Sequence, residues 1–233
     1  MTNDERRRRL GAVAGIVAPV VFVTTVAIEG WLRPGYDWRS MFVSELALGS
    51  RGIIQIGNFL VFGLLQFLFA SGMAAEFPGG RASRSGPIVL RVIAIGMIAS
   101  GLFVMDPLST PIASLSWHCW LHGVGGRMIL YGWPVSCFIF LPRFREEPKW
   151  MPLAPWTLAA GAVALPLAVV LHVLVIVVHL LDWGYRLGGW GGLIQRVHMT
   201  VTMGWQVAVA VRLSQSQPVS GTAGGAVAPT PPH

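Results

Sequence analysis

Long runs of apolar residues, separated by short polar connections, dominate the pattern of this sequence. A helix needs about 20 mostly apolar residues to cross the hydrocarbon core of a bilayer, and the chain has six runs of roughly that length or more. Because lipid offers no partners to backbone N–H and C=O groups, spanning runs of this kind form helices. The predicted spans are residues 10–28, 52–75, 87–105, 119–141, 153–181 and 193–213.

The composition supports the same fold class. The chain is 54% hydrophobic and 12% charged, whereas soluble domains carry about 25% charged residues. We therefore predict an all-α polytopic membrane protein whose single domain, residues 10–213, is a six-transmembrane-helix bundle. Residues 1–9 form a basic N-terminal segment, and residues 214–233, rich in Pro, Ser, Gly and Ala, are predicted to be a disordered tail.

The net charge of +7 indicates an orientation in the membrane rather than a nucleic-acid site. Most of the 17 Lys and Arg residues stand at the ends of alternate apolar runs, beginning with the arginines at 6–9. Basic residues placed in this way favour the cytoplasmic side. We predict that both termini are cytoplasmic, that the connections after spans one, three and five face outward, and that no nucleic acid is bound.

A candidate metal site lies in the second outward connection and the start of the fourth span. His118 and His122 are four residues apart, which places both rings on one face of a helix, and Asp106 ends the preceding span. Two histidines and one carboxylate would hold zinc and leave a position open for water. The alternative is that both histidines bond water and backbone at the membrane interface while Asp106 ends a helix.

The fifth span carries two further candidates, His172 and His179, which are seven residues apart and share a helix face. His172 lies about ten residues from the outer end of the span, roughly 15 Å by helical rise. An ionisable group at that depth faces the bundle interior and is a functional candidate. Its alternative role is a neutral ring bonded to a neighbouring helix. Asn58, near the outer end of the second span, is a further binding candidate.

Several short stretches follow one another in a definite order: Arg33-Pro-Gly-Tyr-Asp37, Ser44-Glu45-Leu46, Asn58, Gly101-Leu-Phe-Val-Met-Asp106, Leu121-His122, Gly192-Leu-Ile-Gln-Arg196 and Trp205. In this order the chain resembles, over residues 11–212, the bacterial and archaeal integral membrane proteins catalogued as domain of unknown function 998. The family tends to have Pro where this chain has Val104. The resemblance implies a six-helix bundle in a bacterial plasma membrane, with signature positions that carry no assigned role: Glu45, Asp106, His122 and Arg196.

Two functional hypotheses from different classes remain. The first is a small carrier, a lipid- or solute-binding protein or an accessory subunit, whose outward-facing pocket takes a small hydrophobic or amphiphilic ligand beside membrane lipid. The second is a membrane-embedded hydrolase acting on a lipid at the outer leaflet. In the second, Asp106, His118 and His122 hold zinc, and Glu45 or Asp182 acts as general base.

Overall fold

The computed structural model describes residues 1–180 and 189–215, with the backbone alone at 178–180. Within these residues the chain is all-helical and contains no strand. Its long helices are α1 (Asn3–Leu32), α2 (Gly52–Glu76), α3 (Ser85–Leu102), α4 (Trp117–Glu146), α5 (Ala154–Leu180) and α6 (Gly191–Ser214). Short 3₁₀ turns lie at Val43–Ala47, Ile112–Ser114 and Met151–Leu153.

Each predicted span coincides with one helix, and the differences at the ends have local causes. α1 begins at Asn3 rather than at residue 10 because Thr2 and Glu5 form a capping box, in which each side chain bonds the other residue's backbone N–H. The arginines at 6–9 are therefore helical. α3 ends at Leu102 rather than at residue 105, since Phe103 already adopts an extended conformation.

Five of the helices, α1 to α5, are long and apolar enough to cross a membrane by length and composition. α6 is not among these five, although it has 24 residues. Polar and charged side chains such as Arg196 and His198 lower its hydropathy in the first turns. The chain is thus a helical protein with several apolar helices of membrane-spanning length.

The six helices stand in a closed circle. Each packs against its neighbours in sequence, and α6 returns to pack against α1. Aromatic side chains fill the centre: the ring of Trp133 lies edge-on to those of Trp205 and Phe62, at 6.4 and 6.5 Å between centroids. The indole N–H of the buried Trp205 donates to the hydroxyl of Thr157 at 3.0 Å, so this packing also satisfies its polar atom.

The two ends of the bundle differ in their connections. One end carries residues 33–51 and 103–116, and we call it the predicted outer end. The other, the predicted inner end, is tied together by Glu76, whose carboxylate accepts from the ammonium of Lys149 at 2.6 Å and from the indole N–H of Trp150 at 3.1 Å. The described connections at the predicted outer end, residues 33–51 and 103–116, are longer than those at the predicted inner end.

Candidate ligand-binding cavity

A cavity of about 330 Å³ lies between α4, α5 and α6 near the predicted outer end, and we call it the outer cavity. α4 lines it between residues 119 and 130, and α5 between residues 171 and 176. Phe42 and Met105 cover it from the two outer connections. The lining is mostly apolar, and the volume falls at the lower end of the usual range for small-molecule pockets, about 300–1,000 Å³.

Two adjacent glycines of α4 show why space opens on one side of that helix only. A Cβ atom on Gly125 would lie 2.8 Å from the carbonyl oxygen of Gly96 in α3, so the two backbones are in direct contact there. A Cβ atom on Gly126 would meet nothing within 4 Å. Gly126 lines the outer cavity, and its missing side chain contributes to that space.

The break after α3 fixes His122 in the cavity wall. In a continued helix the carbonyl oxygen of Phe103 would accept from residue 107, but Pro107 has no N–H. The Nδ1 atom of His122 takes that place at 2.8 Å. A carbonyl oxygen only accepts, so Nδ1 carries the proton and a neutral ring keeps Nε2 as an acceptor.

His172 lines the outer cavity from α5 and is also bonded to the protein. Its Nδ1 atom lies 2.7 Å from the hydroxyl of Tyr131, and this bond joins α5 to α4. On these two helices the lining residues furthest from the predicted outer end are Leu171 and Leu130, at the level of the same bond. The Tyr131–His172 pair therefore lies at the inner limit of the cavity.

A smaller space of about 80 Å³, which we call the inner chamber, adjoins the outer cavity at the centre of the circle. The two spaces share lining residues, including Gly126 and Gln195. His198 and Ser100 line the chamber and are almost fully buried. Within the described residues, the Nε2 atom of His198 and the hydroxyl of Ser100 have no hydrogen-bond partner, so the mostly apolar chamber contains two unpartnered polar atoms.

The first connection at the predicted outer end, residues 33–51, is hydrogen-bonded to the start of α6. The guanidinium of Arg196 donates to the hydroxyl of Tyr36 at 2.6 Å and to the carbonyl oxygen of Met41 at 3.1 Å. The side-chain oxygen of Gln195 accepts from the backbone N–H of Val43 at 2.8 Å. These bonds hold the 3₁₀ turn Val43–Ala47 over the outer cavity.

The structure separates the three residues predicted to hold zinc. Asp106 accepts from the backbone N–H and the hydroxyl of Ser116, at 2.6 and 3.0 Å, and Ser116 in turn caps α4. His118 is exposed and packs against Trp117, whereas His122 bonds Phe103. In the described part of the chain, no three His, Cys, Asp or Glu side chains group closely enough for a metal ion.

The other predicted site residues have varied positions. Glu45 is buried in the 3₁₀ turn and accepts from the backbone N–H of Phe42 at 2.7 Å. The amide of the buried Asn58 donates to the carbonyl oxygen of Phe22 at 3.2 Å, away from the outer cavity. Asp182 and the side chain of His179 lie outside the described residues.

Of the predicted binding residues, the outer cavity brings together His122 and His172. Sequence reasoning missed Gln195 and Arg127, which also line it. Arg127 stands inside an apolar run with no acidic residue nearby in sequence, and that isolation was the available signal. Gln195 gave no signal, because its partner is more than 150 residues away in the chain.

Several apolar helices of membrane-spanning length, packed in a closed circle, define a polytopic helical membrane protein. The chain belongs to the family described as Protein of unknown function (DUF998), whose model matches residues 16–212. This confirms the resemblance seen in the sequence. No curated protein and no solved structure matches the chain significantly.

Proposed function

We propose that this protein binds a single-chain amphiphile, taken from the surrounding lipid into the outer cavity. The observation that carries the proposal is the cavity itself: about 330 Å³ with mostly apolar walls between α4 and α5. Among the polar lining groups, His122 and His172 bond the protein through Nδ1. An apolar wall with a few positioned polar groups is the usual form of a small-molecule site.

The way α4 and α5 pack supports entry of a chain-like ligand between them. Toward the predicted inner end the two helices are in close contact, since a Cβ atom on Gly161 would lie 3.0 Å from the Cβ atom of Cys137. Beyond the Tyr131–His172 bond they line the cavity instead. A slot that is closed at its inner limit suits an alkyl chain inserted from the outer end.

The proposal includes six membrane crossings, with both termini in the cytoplasm of a cell whose plasma membrane holds the protein. α6 supports the sixth crossing, because its 24 residues at about 1.5 Å each exceed the ~30 Å of a hydrocarbon core. It also packs against both α1 and α5. The arginines at 6–9, at the start of α1, support a cytoplasmic N-terminus.

Filling the cavity tests the proposal. Gly126→Leu places a side chain in the outer cavity, where a Cβ atom meets no neighbour within 4 Å. Gly57→Leu is the matched control, because Gly57 in α2 also has no neighbour within 4 Å and does not line the cavity. Native mass spectrometry from mild detergent should show a single-chain lipid on the wild type and on Gly57→Leu but not on Gly126→Leu. Equal retention by all three proteins would refute the proposal.

A further inference from the structure

Arg127 is a charged residue of the apolar helix α4, about a third of the way from its start. It lies ten positions after Trp117, the first residue of α4, which corresponds to roughly 15 Å of helical rise. It is exposed, and it lines the outer cavity. A charge at such a position in a spanning helix is costly and marks a functional site unless a partner offsets it.

The guanidinium folds back over α4 toward the predicted outer end. A Cβ atom on Gly123, one turn nearer that end, would lie 3.6 and 3.7 Å from the two terminal nitrogens of Arg127. Gly123 itself lines the outer cavity. The aliphatic part of the side chain thus lies along the helix, and its charged head lies beside Gly123, closer to the predicted outer end than its own Cα atom, as long basic side chains do near an interface.

No acidic group of the described chain neutralises this charge. The ion pairs between described residues do not include Arg127, and no Asp or Glu stands among the described residues that line the outer cavity. The guanidinium has five N–H donors in a planar fork that matches a carboxylate or a phosphate. Within the described residues, the lining of an apolar cavity therefore carries a cation that has no acidic partner and is suited to an oxyanion.

We infer that Arg127 binds the anionic head group of the amphiphile, a carboxylate or a phosphate monoester. The alkyl chain then lies between α4 and α5 and reaches the level of Leu130 and Leu171. This inference rests on the proposed function, since it assumes an amphiphile in the outer cavity. It adds the class of ligand: long-chain anions are bound and their neutral counterparts are discriminated against.

The test uses the full chain in nanodiscs of zwitterionic phospholipid. The probes are dodecanoate carrying a diazirine, the dodecanol of the same chain and the dodecyl phosphate of the same chain. Photolabelled peptides of α4 and α5 are identified by mass spectrometry, and competition by the unlabelled compounds gives apparent affinities. Arg127→Gln removes the charge, and Arg91→Gln, at an exposed arginine of α3 outside the lining, is the matched control.

In the wild type we expect at least one of the two anions to label the cavity more strongly than the alcohol. The better competitor identifies the head group as carboxylate or phosphate. Arg127→Gln should weaken anion binding about tenfold, the usual scale for a charge-assisted pair, and leave alcohol binding unchanged. Arg127→Lys should fall between, because it keeps the charge without the fork. Arg91→Gln should resemble the wild type.

Two results would overturn the inference while leaving the proposed function intact: equal labelling by the alcohol and both anions, or an anion preference that survives Arg127→Gln. A different result would refute the proposed function itself. If no probe labels the cavity, or if Gly126→Leu leaves all labelling unchanged, no amphiphile binds there. Thermal unfolding of Arg127→Gln should match that of the wild type, because the guanidinium bonds no described protein group. That control ties any loss of binding to the lost charge.

Discussion

The carboxylate of Glu29, in the last turn of α1, receives two hydrogen bonds at 2.6 and 3.0 Å from the guanidinium of Arg51, at the end of the first outer connection (residues 33–51). The side chain of Glu29 is 5% exposed and that of Arg51 is 45% exposed. The pair therefore places a buried charge under a half-exposed partner. Removal of the partner leaves the buried carboxylate unsatisfied, which costs more than the pair contributes.

We expect Arg51→Gln to lower the free energy of unfolding by about 1–3 kcal/mol, the usual penalty for a buried polar group that loses its partner. The double variant Glu29→Gln with Arg51→Gln should recover part of that loss, because no buried charge remains. Thermal unfolding in mild detergent measures both effects. A single variant as stable as the wild type, or a double variant less stable than the single one, would contradict this account.

The helices could be predicted from the sequence because apolar runs and membrane thickness determine them. The contacts between distant segments could not. Gln195 bonds the backbone of Val43, and no local pattern links these two positions. Gly125 and Gly126 look equivalent in sequence, yet one contacts α3 and the other lines a cavity. Which side of α4 faces a neighbour follows from the closed circle of helices, which periodicity alone does not specify.

The candidate site likewise combines features that the sequence predicts with contacts that it does not. The depth of His172 in an apolar span predicts a binding residue, and His122 is a candidate from its spacing to His118 and from the family resemblance; both line the outer cavity. The spacing of His118 and His122 predicts that both rings bind one metal ion, whereas in the structure the Nδ1 atom of His122 bonds the carbonyl oxygen of Phe103, next to the break at Pro107. A proline that removes one N–H thus changes the role of a histidine 15 positions later, and spacing rules do not include that effect.

The two adjacent glycines of α4 predict opposite effects of the same substitution. Gly125→Ala places a Cβ atom 2.8 Å from the carbonyl oxygen of Gly96, and a backbone atom cannot move aside cheaply. We expect a loss of about 1–3 kcal/mol, as for overpacking. Gly126→Ala should be neutral or stabilise by about 0.5–1 kcal/mol, since alanine favours helix. Melting temperatures of the two variants in one detergent test this, and equal shifts would be inconsistent with it.

The alkaline titration of the first outer connection should depend on Tyr36. Burial raises the pKa of Tyr36 above its ordinary value of 10.0, while Arg196 acts in the opposite direction. A raised pKa in the folded state means that this group stabilises the fold fully below pH 10 and stops doing so as pH rises through the folded-state pKa. The difference in melting temperature between the wild type and Tyr36→Phe should therefore shrink above pH 10.

Ultraviolet difference titration gives a direct check on Tyr36. The tyrosinate signal that Tyr36→Phe removes should have its midpoint above pH 10, and Arg196→Gln should move that midpoint further up, because it removes a cation from beside the phenol. A midpoint at or below 10 would show that the phenol is solvated and that the connection is not packed as described.

Substitution of Asp106 tests whether this residue supports the cap of α4 or binds a metal ion. Its carboxylate holds Ser116, whose hydroxyl accepts from the backbone N–H of Cys119 at 3.2 Å in the first turn of α4. Loss of a cap costs about 0.5–2 kcal/mol, so Asp106→Ala should lower stability by that amount with or without a chelator. His118→Gln should change stability little, since that ring is exposed.

A chelator tests the zinc site predicted from the sequence. If it destabilises the wild type as much as Asp106→Ala does, and has no effect on that variant, the result would favour the zinc site. Elemental analysis of untagged protein, beside the variant with both His118 and His122 replaced by Gln, would then decide whether the metal depends on those rings.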